Sequence, residues 1–290
     1  MIIFNADRVR AIEPIDYLII GHVTQDLTKK GPVLGGTVSY SAKTARALGL
    51  RVGIVTSCAE GIDLSELDDI PVVGEPAEHS STFENIITPQ GRIQYVHHTA
   101  HTIDASFVPV TWLSTPVVHL GPVCREIDPG IIKAFQHSFI GLTPQGWFRT
   151  WDEKGLVRFT DWPEASFVLR QADAAVLSVE DVQKNEDVIQ ELASSIKTLV
   201  VTEGYYGARI YHEGDLYRVD APHKEEVDPT GAGDIFATSF FSHFTRFNNP
   251  LQAAQFATLI AANSVTRPGL KGTPSVEEVF EFTAELQTKR

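Results

Sequence analysis

The sequence predicts an α/β fold, a mainly parallel central sheet with helices on both faces and a small β-sheet lid beside it. Three observations predict it. Short apolar runs rich in β-branched residues alternate with helix-patterned segments along the chain, as in a parallel sheet buried on both faces. Two polar, alternating segments break that rhythm, which is how half-exposed antiparallel strands read. The last third of the chain is helical.

The elements follow in order. Ile15 to Ile20 reads as a buried strand, Ser39 to Leu48 as a helix ended by Gly49, and Arg51 to Ser57 as a strand. Pro116 to Gly121, Phe139 to Leu142, Ala174 to Ser178 and Thr198 to Thr202 are further buried strands. A helix spans roughly Asp181 to Ile196, with Val182, Val188, Ile189, Leu192 and Ile196 on one face. Residues 24–34 and 80–98 are the two irregular segments. The second turns at Pro89-Gln90-Gly91, and together they form the lid. Ala208 to Val219 is a hairpin turning at Glu213-Gly214-Asp215, and three helices follow from Gly231, Pro250 and Ser275. With no linker or repeat in sight, residues 1–290 are expected to form a single domain.

Composition narrows the function classes. A net charge of -13 opposes nucleic acid and anionic membrane as partners, because like charge repels at long range. No apolar run approaches the roughly 20 residues of a membrane helix. The opening MIIFNADRVRAIEP breaks any signal-peptide core with charge. Cys58 and Cys124 are too few for a disulfide framework and read as buried thiols, so the expected location is cytoplasmic. His97, His98 and His101 lack the spacing of a metal site, and His119 reads as a satisfied strand-end residue.

One stretch carries chemistry: Asp228-Pro229-Thr230-Gly231-Ala232-Gly233-Asp234, opening the apolar helix IFATSFFSHF. Small residues let backbone amides converge, and the helix adds its unpaired N–H groups and positive dipole end, so Gly231, Ala232 and Gly233 build an anion hole. Asp234 lies in the first helical turn, where the dipole favours its ionised form and its carboxylate can accept a proton from an attacking hydroxyl. Anion hole plus carboxylate base is the minimum equipment for phosphoryl transfer to an alcohol. No Gly-x-x-x-x-Gly-Lys-Ser/Thr loop exists, and Gly231-x-Gly233 lacks the third glycine of a dinucleotide fingerprint.

That string resembles the C-terminal signature of the ribokinase, or PfkB, family of carbohydrate kinases. Gly35-Gly36-Thr37-Val38-Ser39-Tyr40-Ser41-Ala42 is similar to the family's di-glycine segment, Thr202-Glu203-Gly204 to its nucleotide-binding strand end, and Asn263 to Gly269 to its late adenine loop. The resemblance implies a ribokinase-like fold and an ATP-dependent kinase acting on a hydroxyl of a small sugar or polyol. Asp234 would be the base, and Asp26, Gly35 and Gly36 would hold the acceptor, with Tyr40 lining its pocket; Arg149, after the strand Phe139 to Leu142 at the ligand edge of the sheet, reads either as a further substrate contact or as a structural salt bridge. Thr202, Gly204 and Asn263 would lie along the nucleotide. Mg2+ would neutralise the phosphates, and Asp228 and Thr230 match where some members hold a monovalent cation such as K+. The family's Asn-x-x-Glu motif is altered here to Ser178-Val179-Glu180-Asp181, and Tyr40 replaces a common Asn. Both departures resemble inositol-kinase-type members. Two alternatives stay open: a nucleoside kinase, with Tyr40 and Phe83 as stacking aromatics, or a non-catalytic nucleotide- and sugar-binding regulator. A homodimer formed through the lid is a further expectation.

Overall fold

A computed structural model describes residues 2–3, 13–88 and 91–288. In chain order the strands and helices are β1 (Ile2–Ile3), β2 (Tyr17–Ile20), β3 (Thr24–Thr28), β4 (Gly31–Gly35), α1 (Thr37–Ala47), β5 (Val52–Ala59), β6 (Val72–Ala77), β7 (Ser81–Thr88) and β8 (Gly91–His98). The middle of the chain holds β9 (Val117–Leu120), β10 (Phe139–Leu142), β11 (Arg149–Trp151), β12 (Val157–Phe159), α2 (Ala165–Leu169), β13 (Ala174–Ser178) and α3 (Glu186–Ser195). The remainder is β14 (Thr198–Thr202), β15 (Ala208–His212), β16 (Asp215–Val219), α4 (Ala232–Phe247), α5 (Pro250–Ser264) and α6 (Val276–Thr288).

Ten strands form the main sheet in the order β1-β6-β5-β2-β9-β10-β13-β14-β15-β16. It is parallel as far as β14, and the β15–β16 hairpin closes one edge antiparallel. Its turn puts Glu213 and Gly214 both at positive φ, 51° and 93°, the twist a two-residue hairpin loop needs. The central strands β2, β9 and β13 are buried along nearly their whole length, so both faces are covered. One face packs β2, β9 and β13 residues such as Leu18, Val118 and Ala175 against Trp147, Trp162 and α3. Across the other face lie α1 and α4, the latter through Phe236, Phe240, Phe241 and Phe244. Asn249 caps α5 by accepting from the Gln252 N–H, and Pro250 follows at a first-turn position where no amide is missed.

The lid is a separate four-stranded sheet, β4-β3-β7-β8. Register puts Asp26, Phe83 and Val96 on one face, and Phe83 and Val96 are buried there. The other face carries Leu27, Ile86 and Ile93, exposed at 40%, 41% and 38%. The expected lid segments therefore coincide with these strands; the centre of the predicted turn, Pro89-Gln90, lies outside the described residues. Beside the lid, β11 and β12 form a short hairpin, joined to β8 by a bridge between Tyr95 and Leu156. Trp151 on β11 packs against the cluster of Phe83, Val96, Val123 and Cys124, and in the main core Trp147 and Trp162 stack at 4.6 Å between ring centroids and 15° between planes.

His119 is a satisfied core histidine: Tyr17 Oη lies 3.0 Å from Nδ1 and Thr143 Oγ1 lies 2.9 Å from Nε2, and burial pushes its pKa down to about 3. Cys58 and Cys124 are buried free thiols. Among the described residues, no helix is long and apolar enough to cross a membrane.

Candidate active site

The site lies where the carboxyl ends of the parallel strands meet the start of α4, the edge at which open α/β sheets bind ligands. Gly231 is the α4 N-cap, in the left-handed region at φ 79°. A β-carbon there would sit 2.2 Å from Tyr40 Cδ1, so only glycine allows α1 and the phosphate loop to approach this closely. The Ala232 N–H donates to Pro229 O at 3.1 Å and is therefore engaged within the turn, while the N–H groups of Gly233 and Asp234 stay unpaired within the helix start. Gly233 would meet nothing within 4 Å of an added β-carbon, which is the open space a phosphoryl group requires.

Asp234 is half-buried, and its carboxyl is pushed up to about 7, first by burial and then by the Asp181 charge. A hydrogen bond from the Thr37 hydroxyl and the nearby Arg149 guanidinium act the other way. Burial therefore outweighs the helix dipole that was expected to favour the ionised form. A carboxylate poised near neutrality suits a general base. In the sequence Thr37 stands out only as part of the di-glycine segment. Its role emerges because Gly36, at φ 86°, caps α1 and aims the first turn of that helix at α4. A β-carbon on Gly36 would lie 2.5 Å from His22 O.

Asp26 stands on β3 opposite Val33 and beside Phe83, with the Thr24 hydroxyl donating to it at 3.3 Å. A β-carbon on Gly35 would come within 2.6 Å of its Oδ2, so the di-glycine leaves room for this carboxylate. Tyr40 is buried, 3% exposed, and packs beneath Gly231 with Ile235 and Phe256. Its phenol is pushed up by burial and then by Asp26, Asp228 and Asp234, so those three carboxylates converge around it. Arg149 donates to Val123 O at 2.8 Å and lies 5.9 Å over the Phe83 ring, tying the lid to the neighbourhood of Asp234.

The altered motif forms a capping box at the end of β13. The Ser178 N–H donates to Asp181 Oδ2 at 2.8 Å and the Glu180 N–H to Ser178 Oγ at 3.2 Å. Gln145, not anticipated from the sequence, donates to Asp181 Oδ1 at 2.7 Å. Each Asp181 oxygen keeps a lone pair for a hydrated magnesium ion, which would neutralise donor phosphates at this edge. Thr202 pairs in register with Ser178, and Gly204 follows at φ 60° in open space. Asn263 ends α5 bonded to Glu278 at 2.8 Å, and Arg267 bonds the same carboxylate. Asp228 accepts from Thr230 N at 2.9 Å and Gly269 N at 2.8 Å. These bonds hold it below the usual carboxylate range against the opposing effect of burial, and they bind the phosphate loop to the 265–269 loop.

With this geometry in place, comparison with known proteins is informative. Residues 159–276 match the sequence profile described as pfkB family carbohydrate kinase. That segment of the chain carries the match to the pfkB family, the family its sequence resembles. The family's members are phosphotransferases with hydroxyl acceptors, and the chain is a kinase of that class. A cytidine kinase of Thermococcus kodakarensis is 23% identical over 270 residues, covering 82% of this chain and 91% of its own. An inositol 3-kinase of Oryza sativa subsp. japonica is 33% identical over 88 residues, covering 29% of this chain and 22% of its own. Among solved structures, a pyrophosphate-dependent kinase of the ribokinase family, complexed with a pyrophosphate analogue and myo-inositol, superposes with TM-score 0.78 at 20% identity. It covers 91% of this chain and 99% of its own. The Arabidopsis thaliana ribokinase complexed with ribose and ATP gives TM-score 0.72 at 15% identity over 93% of this chain and 99% of its own. At these identities the structural likeness is one of ribokinase-like fold.

Proposed function

We propose that this pfkB-family protein transfers the γ-phosphoryl group of ATP to a hydroxyl of a small neutral polyol: a sugar, a cyclitol or a nucleoside. The observation that carries the reading is the pairing of Asp234, its pKa near 7, with the open amides at the start of α4. Asp26, together with Gly35 and Gly36, holds acceptor hydroxyls under the lid. Asp234 takes the proton as the acceptor oxygen attacks phosphorus, and the amides of Gly233 and Asp234 meet the charge that grows on the phosphoryl oxygens. Arg149, close enough to lower the Asp234 pKa, adds positive charge there. Thr202, Gly204 and Asn263 line the donor side, and Asp228 and Thr230 stand where a potassium ion would support the loop. The expected setting is the cytoplasm.

The nucleoside alternative draws support from the 23% identical cytidine kinase and from Phe83, an aromatic buried on the acceptor side of the lid. Tyr40 supports it less than expected, because its ring is packed beneath Gly231. A regulator without activity is disfavoured by the tuned Asp234. The test is a turnover screen with myo-inositol, ribose, hexoses, nucleosides and fructose phosphates, each with ATP and with pyrophosphate. ATP-dependent turnover of a neutral acceptor, abolished in Asp234→Asn, is expected. A tenfold preference for a phosphorylated sugar, or turnover with pyrophosphate alone, would overturn the acceptor or donor assignment respectively.

A further inference from the structure

A second cluster of reactive side chains lies at the root of the lid, and nothing above gives it a role. His22 follows β2, while Cys124 and Glu126 lie in the loop after β9. All three are buried, at 0%, 4% and 3% exposure. One potential ligand atom from each lies within 4.8 Å of the others. We propose that His22, Cys124 and Glu126 bind one thiophilic divalent cation of the zinc class, with the Ser81 hydroxyl on the fourth side.

The histidine is set up for this. Its Nε2 lies 2.8 Å from the carbonyl oxygen of His101, which can only accept, so Nε2 carries the proton and the Nδ1 lone pair faces the cluster. Metal-bound histidines are oriented by the same outer carbonyl bond. Nδ1 lies 3.7 Å from Cys124 Sγ. With metal–nitrogen and metal–sulfur distances of roughly 2.0 and 2.3 Å, two tetrahedral ligands sit about 3.6 Å apart, so this edge is already at coordination spacing. Ser81 Oγ lies 2.7 Å from Nδ1, to which it donates, and 3.6 Å from the sulfur; binding of the ion would replace that hydrogen bond and move the hydroxyl outward.

Charge points the same way. Glu126 Oε1 accepts from the amides of His22 at 3.0 Å and Val123 at 2.9 Å, and Oε2 from those of Cys124 at 2.7 Å and Val123 at 3.0 Å. The Val123 N–H is shared between the two oxygens, so on binding it stays with Oε1 while Oε2 keeps the shorter Cys124 bond and gives its other lone pair to the metal. On binding, the Cys124 thiol releases its proton to solvent, and one dication with one thiolate and one carboxylate sums to zero. A neutral set is the one a dry interior tolerates best. The ion would tie the end of β2 and the loop after β9 to lid strand β7, which supplies Ser81 and Phe83. The three ligands are separated by up to 104 residues, so no spacing motif announces them.

The test uses the full chain without a polyhistidine tag, chelator-treated, then given zinc or cobalt and desalted. One zinc per chain is expected, together with a near-ultraviolet thiolate-to-cobalt charge-transfer band. That band should vanish in Cys124→Ser and persist in Cys58→Ser. Zinc at a hundredfold excess over its Kd should raise the thermal midpoint by about 5 °C in the wild type and not in Cys124→Ser. Excess magnesium should displace nothing. Failure of the wild-type chain to retain stoichiometric zinc, or a cobalt band that survives Cys124→Ser, would show a hydrogen-bond network alone and overturn the proposal. The wild-type measurements decide even if the serine variant does not fold, and they stand apart from any kinase assay.

Discussion

Asp234 sets the terms at the scale of single residues. Its folded pKa of about 7 stands above the 3.8 of an unperturbed Asp, so the native state binds the extra proton between those values. Stability is therefore fully present below about pH 4 and declines as pH rises through 7. Asp234→Asn removes that penalty, and its thermal midpoint should exceed the wild type's by about 2 °C or more at pH 8, with no gain at pH 4. Activity runs in the opposite direction. The wild-type kcat/KM should climb with pH and level off above about 7, and Asp234→Asn should lose at least ~10²-fold in turnover with KM little changed. A flat pH profile from 5 to 8 would remove Asp234 from the base role. The Asp228 to Asp234 string made this residue legible, because small residues followed by an acid at a helix start have few other uses. Its pKa was not legible. A dipole can be inferred from position in a helix, but burial depends on the packed fold, and the bond from Thr37 and the charges of Asp181 and Arg149 arrive from three other elements.

Among the elements, the crossing of α1 over the start of α4 is the critical contact, and two glycines two positions apart should respond to substitution in opposite ways. Gly231→Ala must accept φ 79° and place its β-carbon 2.2 Å from the Tyr40 ring. We expect a stability loss of about 2 kcal/mol or more, seen in denaturant unfolding. Gly233→Ala has an ordinary φ and open space, so its unfolding midpoint should match the wild type, while turnover falls about tenfold or more as the methyl enters the phosphoryl site. Equal effects on stability from both substitutions would contradict the arrangement. The buried strands were the clearest elements in the sequence: Phe139–Leu142, Ala174–Ser178 and Thr198–Thr202 have the boundaries their apolar runs mark out. β6 was not, because its VVGEPA carries Gly, Glu and Pro on a strand near the sheet edge. β11 and β12, three residues each, are too short for any period to register.

For the molecule as a whole, the lid's outward face is the surface with consequences. Leu27, Ile86 and Ile93 share it, and an apolar sheet face of this kind fits a second copy of the chain. A homodimer should be seen by light scattering, and Ile86→Lys should shift it to monomer without loss of fold. A wild-type monomer at high concentration would dismiss the lid contact. The inward face has a different reach. Trp151 packs against the cluster that holds Phe83 and Val96 of the lid, and Trp147 and Trp162 stack at 4.6 Å in the main core. Indoles held that close and nearly parallel couple their electronic transitions, which gives a paired signal in near-ultraviolet circular dichroism. Trp151, beside the lid, should change its emission when an acceptor settles against Phe83. The protein would then report its own substrate optically, without a label, and a titration of each acceptor against Trp151 emission should rank affinities before any phosphate is transferred.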